Sequence, residues 1–254
     1  SCTFLRYCKK MKFNIIPMGI EIPKVIHQIN TKNFMPAEIR KNIEVLKNLN
    51  PNWKYKLYTD NDIKEYISQY FPDILDTYLS INPNYGAVRA DLFRYLLIYN
   101  EGGVYIDIKS SFSIPLNDSL WPDDTYILSH WDSSGQFKNW GKHPEITNPR
   151  GEFQQCFIIS VKGHPFLKAV IEKVVNNINN YDYSEDGTGK IVVLRLTGPI
   201  AYTLAISPLL SMYKSRLVNS EKDLGYIYSI YETKELHESL FKKHYSTLTE
   251  PIVF

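Results

Sequence analysis

The sequence predicts an α/β protein with a mostly parallel central sheet flanked by helices. Two segments, residues 22–29 and 54–58, have the apolar or alternating composition of short β-strands. Between these strands, the apolar residues of segment 36–49 recur at helical spacing. A second helix is expected to begin near Ile63, after a polar turn. This alternation of strand and helix is typical of parallel sheets, whose ligands bind at the C-terminal ends of the strands.

The first strand is expected to open the sheet, because β-branched residues follow Pro23 and polar side chains come next. His27 and Gln28 fall near its C-terminal end. Asp60 follows the second strand in the same way, in a turn that is expected to cap the next helix. The sequence therefore predicts that these three polar residues lie at one edge of the sheet.

A third helix is predicted for residues 87–99, where apolar residues recur on one face with Asp91 and Arg94 among them. Gly102 and Gly103 end this helix, and residues 104–108 then form an apolar strand interrupted by Asp107. The second half of the chain is predicted to contain strand 157–161, helix 165–178, a surface loop at 181–190, a turn at 196–199 and helix 201–210.

Composition limits the classes of function. The chain has 254 residues, 44% of them hydrophobic, and a formal net charge of only +2, so nucleic acid is not the expected main partner. Cys2, Cys8 and Cys156 have neither the even count of a disulfide framework nor the spacing of a zinc site. The sequence lacks a continuous apolar run of about 18 residues, so no membrane span is predicted.

Residues 1–20 are interpreted as an N-terminal leader or peripheral segment, and residues 21–254 as a single domain. Its donor-binding half is expected at about 21–120 and its acceptor-side half at about 121–254. The expected location is the cytoplasm or the periphery of a membrane. A luminal location behind a removed N-terminal anchor stays open, because the sequence starts at Ser1 instead of Met.

The charges inside core-forming segments are the strongest indication of function. Burying a charge is costly unless it is paired or binds a ligand. Asp91 and Arg94 are three residues apart on one helix face and could form a structural ion pair. Asp107 is harder to explain in that way. A carboxylate at a strand end is well placed to hold a divalent cation, which would neutralise a diphosphate leaving group.

Three motifs carry a resemblance to a known family. RADLFRYLLIYNEGGVYIDIK at residues 89–109 resembles the signature of the DXD-containing sugar transferases of glycosyltransferase family 32. IPKVIHQIN at 22–30 is similar to the family's opening strand, and NPNWKYKLYTDND at 50–62 to its second strand and acidic turn. The family includes α-1,6-mannosyltransferases and capsular polysaccharide enzymes, and the glucosylating domains of clostridial toxins are more distant relatives.

The resemblance implies a GT-A fold with a Rossmann-like sheet, a UDP- or GDP-sugar as donor and retention of anomeric configuration. It implies that His27 and Gln28 approach the nucleotide and that Asp91 and Arg94 bind the donor sugar. Tyr105 and Asp107 would meet the ribose, the diphosphate and a divalent cation, Mn²⁺ or Mg²⁺. His244 is a second candidate for contacting the metal or the phosphates.

One residue departs from the family pattern. Lys109 stands where the second carboxylate of the DXD motif belongs, and a protonated lysine cannot coordinate a cation. Three interpretations stay open: Asp107 binds the metal with help from elsewhere, such as His244; the Lys109 ammonium partly replaces the metal in offsetting phosphate charge; or activity is lost.

The predicted function is transfer of a hexosyl unit to a hydroxyl of a glycan, lipid-linked saccharide or protein. Trp131 and Trp140 lie in a polar stretch that is a candidate acceptor-facing loop. An inactive sugar-nucleotide or glycan-binding module is an alternative that Lys109 favours. A metal-dependent phosphoesterase using Asp107 is a weaker alternative, because it too would need a second carboxylate. The sequence makes no prediction of the oligomeric state.

Overall fold

The computed structural model of the chain describes residues 12–231 and 245–254. Eight strands are found in this part: β1 Val25–Ile29, β2 Lys54–Tyr58, β3 Gly103–Ile106, β4 Ser111–Phe112, β5 Tyr126–Ser129, β6 Phe157–Ser160, β7 Arg216–Val218 and β8 Tyr226–Ile227. The α-helices there are α1 Ala37–Leu49, α2 Asp60–Tyr70, α3 Leu75–Ser80, α4 Gly86–Glu101, α5 Leu116–Ser119, α6 Pro165–Asn179, α7 Tyr183–Asp186, α8 Lys190–Leu196, α9 Pro199–Ile206 and α10 Ser220–Leu224. Short 3₁₀ turns occur at Pro72–Ile74, Ser207–Leu209 and Tyr245–Thr247.

Six of these strands form one sheet in the order β2-β1-β3-β6-β5-β7. The pairs β1–β2, β1–β3 and β5–β7 are parallel, whereas β6 runs antiparallel to both β3 and β5. Strands β4 and β8 form a separate antiparallel pair. The predicted α/β fold with a mostly parallel sheet is confirmed, and the C-terminal ends of β1, β2 and β3 lie side by side.

Helix α4 is the central helix of the fold. This helix packs against the sheet, α2 and α6, so its apolar residues are buried on nearly every side. The opposite face of the sheet is covered by a second apolar cluster that includes Ile26, Leu46 and Phe112. The link between the end of α4 and the start of β3 is short, so the strand runs back along the helix and its end lies beside Arg94, in the middle of α4.

Several element boundaries differ from the predicted ones. Helix α2 begins at Asp60, three residues before Ile63, because Thr59 and Asp62 form a reciprocal capping box. Strand β3 ends at Ile106, which leaves Asp107 as the first residue after it. The predicted loop at 181–190 contains the short helix α7.

The stretch Lys190–Leu209 has the length and the mean hydropathy, 1.4, of a membrane span, and half of it is buried inside the fold. In the structure it is divided into α8, α9 and a 3₁₀ turn by the Thr197-Gly198-Pro199 break. Helices α8 and α9 both pack against α6. These features are typical of core helices.

Candidate functional site

Arg94 is the centre of a charged corner where α4 meets the end of β3. Its Nη2 lies 3.3 Å from Asp91 Oδ1, and its Nη1 lies 3.2 Å from Asp107 Oδ1. Nη1 also donates to the main-chain carbonyl and side-chain oxygen of Gln155, at 2.9 and 2.7 Å. The guanidinium lies 4.6 Å from the centre of the Tyr105 ring. One arginine therefore links the helix, the strand end and the segment before β6.

Asp91 is enclosed beneath this corner, with only 6% of its surface exposed. Oδ1 accepts a hydrogen bond from Gln155 Nε2 at 3.0 Å, and Oδ2 accepts one from Thr197 Oγ1 at 2.9 Å. Burial raises the pKa of Asp91 to about 6, although Arg94 and these hydrogen bonds oppose the shift. Both oxygens are thus already engaged within the protein.

Asp107 is the carboxylate that reaches solvent, with 23% of its side chain exposed. The Tyr105 hydroxyl donates to its Oδ1 at 2.8 Å, and burial raises the pKa of Tyr105 well above its usual value, so the phenol stays protonated. The main chain of Asp107 is fixed as well, since its N–H donates to Cys156 and its carbonyl accepts from Gln28 Nε2 and Ser110 N. Asp107 is therefore held firmly at the carboxyl end of a strand.

Lys109 lies on the turn that follows Asp107. Its Nζ donates to the Tyr228 hydroxyl at 3.1 Å and lies 4.3 Å from the centre of that ring. The hydrogen bond and the cation–π contact together fix the position of the ammonium. Lys109 therefore places a second positive charge on the turn that begins at Asp107.

Four aromatic residues form what we call the aromatic cluster, with ring centres 4.9 to 5.8 Å apart. They are Trp131, Phe137, Trp140 and Tyr228. Glu152 anchors this loop, because it accepts hydrogen bonds from Trp131 Nε1 at 2.9 Å and from His143 Nε2 at 2.7 Å. The loop that was predicted to face an acceptor thus contacts Lys109 through Tyr228.

His27 and Gln28, the two donor-site candidates on β1, are completely enclosed. His27 pairs with the Tyr58 hydroxyl at 2.9 Å and the Gly102 carbonyl at 3.3 Å, and burial lowers its pKa to about 4. Gln28 accepts from the Tyr55 hydroxyl at 2.6 Å while donating to the Asp107 carbonyl. In this structure both residues support the site from inside the sheet, and a direct nucleotide contact stays a prediction.

The corner fits a divalent cation poorly. Mn²⁺ and Mg²⁺ prefer several oxygen ligands, but Asp91 is buried with both oxygens engaged, and Asp107 Oδ1 already contacts Arg94 and Tyr105. Residues 12–231 and 245–254 contain no cluster of three or more His, Cys, Asp or Glu side chains that could hold a metal. His244, the other predicted metal ligand, lies outside the described residues.

Three residues of the corner were not predicted as site residues. Gln155 bridges Asp91 and Arg94. Its only sequence indication is a pair of glutamines just before an apolar strand. Thr197 lies in a turn that the sequence does identify. Tyr228 has no indication at all in the sequence, because only the folded chain brings it to Lys109.

Comparison with known proteins finds a family match over part of the chain and several curated relatives. The family described as the glycosyltransferase sugar-binding region containing the DXD motif matches residues 36–127, which contain α4, β3 and Asp107. Inositol phosphoceramide mannosyltransferase 3 of Schizosaccharomyces pombe is 30% identical over 70% of this chain and 43% of its own length. The initiation-specific alpha-1,6-mannosyltransferase of Candida albicans is 29% identical over 58% of this chain and 40% of its own. This chain spans less than half the length of each relative.

Comparison with solved structures gives the fold. The UDP-bound glycosyltransferase domain of the YGT toxin superposes with a TM-score of 0.55 over 84% of each chain, at 8% identity. This likeness confirms the predicted GT-A fold.

Proposed function

Because this chain belongs to the DXD-containing sugar transferases of glycosyltransferase family 32, we propose that it transfers a hexosyl unit from a nucleoside diphosphate sugar to a hydroxyl group. One observation carries the proposal. A partly exposed carboxylate, Asp107, is fixed by Arg94 and Tyr105 at the carboxyl end of a parallel strand. Ligands of open α/β sheets bind at this edge.

In the proposed site, Asp107 and Lys109 face the donor. Positive charge from Lys109 and from the edge of Arg94 stabilises the diphosphate as it leaves, which is the dominant contribution where charge develops in a transition state. Asp91 and Arg94 form the floor beneath the donor sugar and contact it only through the small part of their surfaces that is exposed. His27, Gln28 and Gln155 are positioning residues.

We propose that the transferred sugar keeps its anomeric configuration. Asp91 is buried with both oxygens hydrogen-bonded, and Asp107 is paired with Arg94, so neither carboxylate is presented as a covalent nucleophile. Attack by the acceptor hydroxyl on the same face as the departing diphosphate, whose oxygen takes the proton, is consistent with this arrangement.

Mannose is the first candidate sugar, because the relatives at 30% and 29% identity are named as mannosyltransferases. A lipid-linked saccharide is the first acceptor class to test, because the S. pombe relative is named for inositol phosphoceramide. Glycan and protein hydroxyls are the other acceptor classes. The aromatic cluster supports an acceptor that carries a sugar-like ring, since aromatic faces stack on the apolar faces of such rings.

The test is a turnover assay with a panel of GDP- and UDP-sugars, in which both nucleotide release and the glycosylated product are measured. Replacing Asp107 by Asn keeps the shape of the side chain but removes its charge. We expect turnover to fall by about 10²–10³-fold, the usual effect of disturbing a preorganised electrostatic site, because the Asp107 carboxylate holds Arg94 and Tyr105 in place. The matched control is Asp118→Asn on an exposed position of α5, which should leave turnover unchanged. Equal turnover by Asp107→Asn and the wild type would refute the site.

A second candidate is a sugar-nucleotide-binding module without turnover, and Lys109 in place of a carboxylate is the observation that favours it. Binding of a GDP- or UDP-sugar with no release of nucleotide, across all acceptor classes, would identify this module.

A further inference from the structure

The position of Lys109 has a consequence for the charge of the site. The corner contains two carboxylates, Asp91 and Asp107, and two cations, Arg94 and Lys109, so its formal sum is zero. A carboxylate at position 109 would give three negative charges against one positive, a sum of −2. The difference of two charges equals the charge of one divalent cation.

These charges act on the same small volume. Burial and the Asp107 carboxylate raise the pKa of the Cys156 thiol to about 12, while a hydrogen bond with Tyr226 and the charges of Lys109 and Arg94 oppose the shift. All three charged side chains therefore lie close enough to Cys156 to act on its thiol. The Lys109 ammonium is also held in place by the Tyr228 hydroxyl and ring. Lys109 is therefore a fixed charge of the corner and not a freely moving surface lysine.

A cation at Asp107 would meet opposing charge. Arg94 Nη1 already lies 3.2 Å from Asp107 Oδ1, and Lys109 adds a second positive group on the same turn. A divalent cation would have to displace one of them or accept their repulsion, with one partly exposed carboxylate as its ligand in the described corner. A diphosphate, in contrast, meets two cations whose charge is not cancelled by an additional carboxylate.

We propose that Lys109 takes the place of the divalent cation, so that this chain binds the diphosphate of its donor without a metal ion. The inference rests on the proposed function, because it concerns the same donor site. Lysine acts on phosphate as a compact point charge with three donors. Arg94 supplies the second positive charge from the floor of the site.

The test is isothermal titration calorimetry, which measures the Kd of UDP and of GDP for the chain, once in EDTA and once in excess MnCl₂. For the wild type, we expect the Kd of the better nucleotide to differ by less than about threefold between the two conditions. Lys109→Asp restores the two carboxylates of the DXD motif. In EDTA this variant should bind at least about tenfold more weakly, and Mn²⁺ should restore most of the loss.

Two further variants separate charge from structure. Lys109→Met removes the positive charge without adding a carboxylate, so it should weaken binding in both conditions and gain little from Mn²⁺. Lys41→Asp, an equal charge reversal on the exposed face of α1, should behave like the wild type. Thermal melting of each variant shows whether it folds, and the wild-type comparison needs no variant.

Each outcome decides the question. Wild-type binding that requires Mn²⁺ would overturn the role of Lys109 but leave the proposed transferase function standing. Binding in EDTA that Lys109→Asp leaves unchanged would also overturn it, because the charge at position 109 would then be irrelevant. Failure of the wild type to bind either nucleotide in both conditions would overturn the inference and the donor site together.

Discussion

Arg94 carries a positive charge into the interior of the fold, and its contacts explain how that charge is tolerated. A buried charge is stable only when it is paired and its remaining hydrogen-bonding groups are satisfied. Two carboxylates, the Tyr105 ring and both oxygens of Gln155 surround the guanidinium. At the level of single residues, the site is a buried network that fixes one partly exposed carboxylate, Asp107.

Gln155 offers a test of this network. Leucine has a similar volume but its side chain cannot hydrogen-bond. In Gln155→Leu, the buried polar groups of Asp91, Arg94 and Tyr95 would therefore each lose a hydrogen bond. We expect the free energy of unfolding to fall by at least about 1–3 kcal/mol, measured by urea denaturation. Gln69→Leu, on the exposed face of α2, is the matched control and should change it little. Equal stability of the two variants would contradict the network.

His27 predicts a dependence of stability on pH. Burial lowers its pKa from 6.5 to about 4. Between these values the unfolded chain binds a proton that the folded chain does not, so stability is complete above pH 6.5 and is lost as the pH falls toward about 4. The shift corresponds to at most about 3 kcal/mol.

The measurement is the free energy of unfolding of the wild type and of His27→Gln across that pH window. The variant should lose less stability on acidification than the wild type. His164, whose pKa burial also lowers to about 4, contributes the same trend to both proteins and therefore cancels from the difference. Two parallel pH curves would show that His27 is not the buried neutral group described above.

At the level of elements, the link between α4 and β3 determines where Asp107 lies. Gly102 ends α4 with φ 71° and ψ −173°, a conformation that essentially only glycine adopts. A Cβ there would lie 2.6 Å from the main-chain nitrogen of Lys162. The chain can therefore reverse sharply only because this residue has no side chain.

Gly102→Ala should therefore destabilise the protein by more than about 1–3 kcal/mol, the usual cost of one strained backbone position, because a steric clash adds to the strain. Gly135→Ala is the control, since a Cβ at Gly135 meets nothing within 4 Å. Thermal unfolding of the two variants measures the difference. A Gly102→Ala protein as stable as Gly135→Ala would mean that the link has a different conformation.

The elements that the sequence predicts well are those with strong local patterns. Strand β2 matches its predicted range, and α1 and α6 differ from theirs by one residue at one end, because their apolar periodicity and adjacent Pro or Asn residues mark the ends. The start of α2 was predicted three residues late, since the capping box places the first turn on polar residues. Strands β5 and β7 were missed, because they are short and pair only with distant parts of the chain.

The same distinction separates the predicted from the unpredicted parts of the site. Asp91, Arg94, Tyr105 and Asp107 belong to one continuous segment, and their proximity follows from a helix joined to a strand by two glycines. Gln155 and Thr197 reach Asp91 across 64 and 106 residues of sequence. Contacts of that range depend on the sheet order, which local sequence patterns do not specify.

For the molecule as a whole, the sheet brings the donor-side segments together and places the aromatic cluster beside them. Three parallel strands end at one edge, and the segment from Tyr226 to Tyr231 packs on the turn that contains Asp107. Charged side chains therefore lie on one side of the Asp107 turn and aromatic rings on the other. This arrangement agrees with the donor diphosphate and the ring-containing acceptor proposed above.

The most direct test of this account is a crystal structure of the chain with bound GDP or UDP. We expect diphosphate oxygens within about 3 Å of Lys109 Nζ, which is hydrogen-bonding distance, with the nucleotide beside Asp107. A nucleotide bound instead in the surface cleft lined by Lys56, Tyr66 and Glu101, with the Asp107 corner empty, would contradict the account.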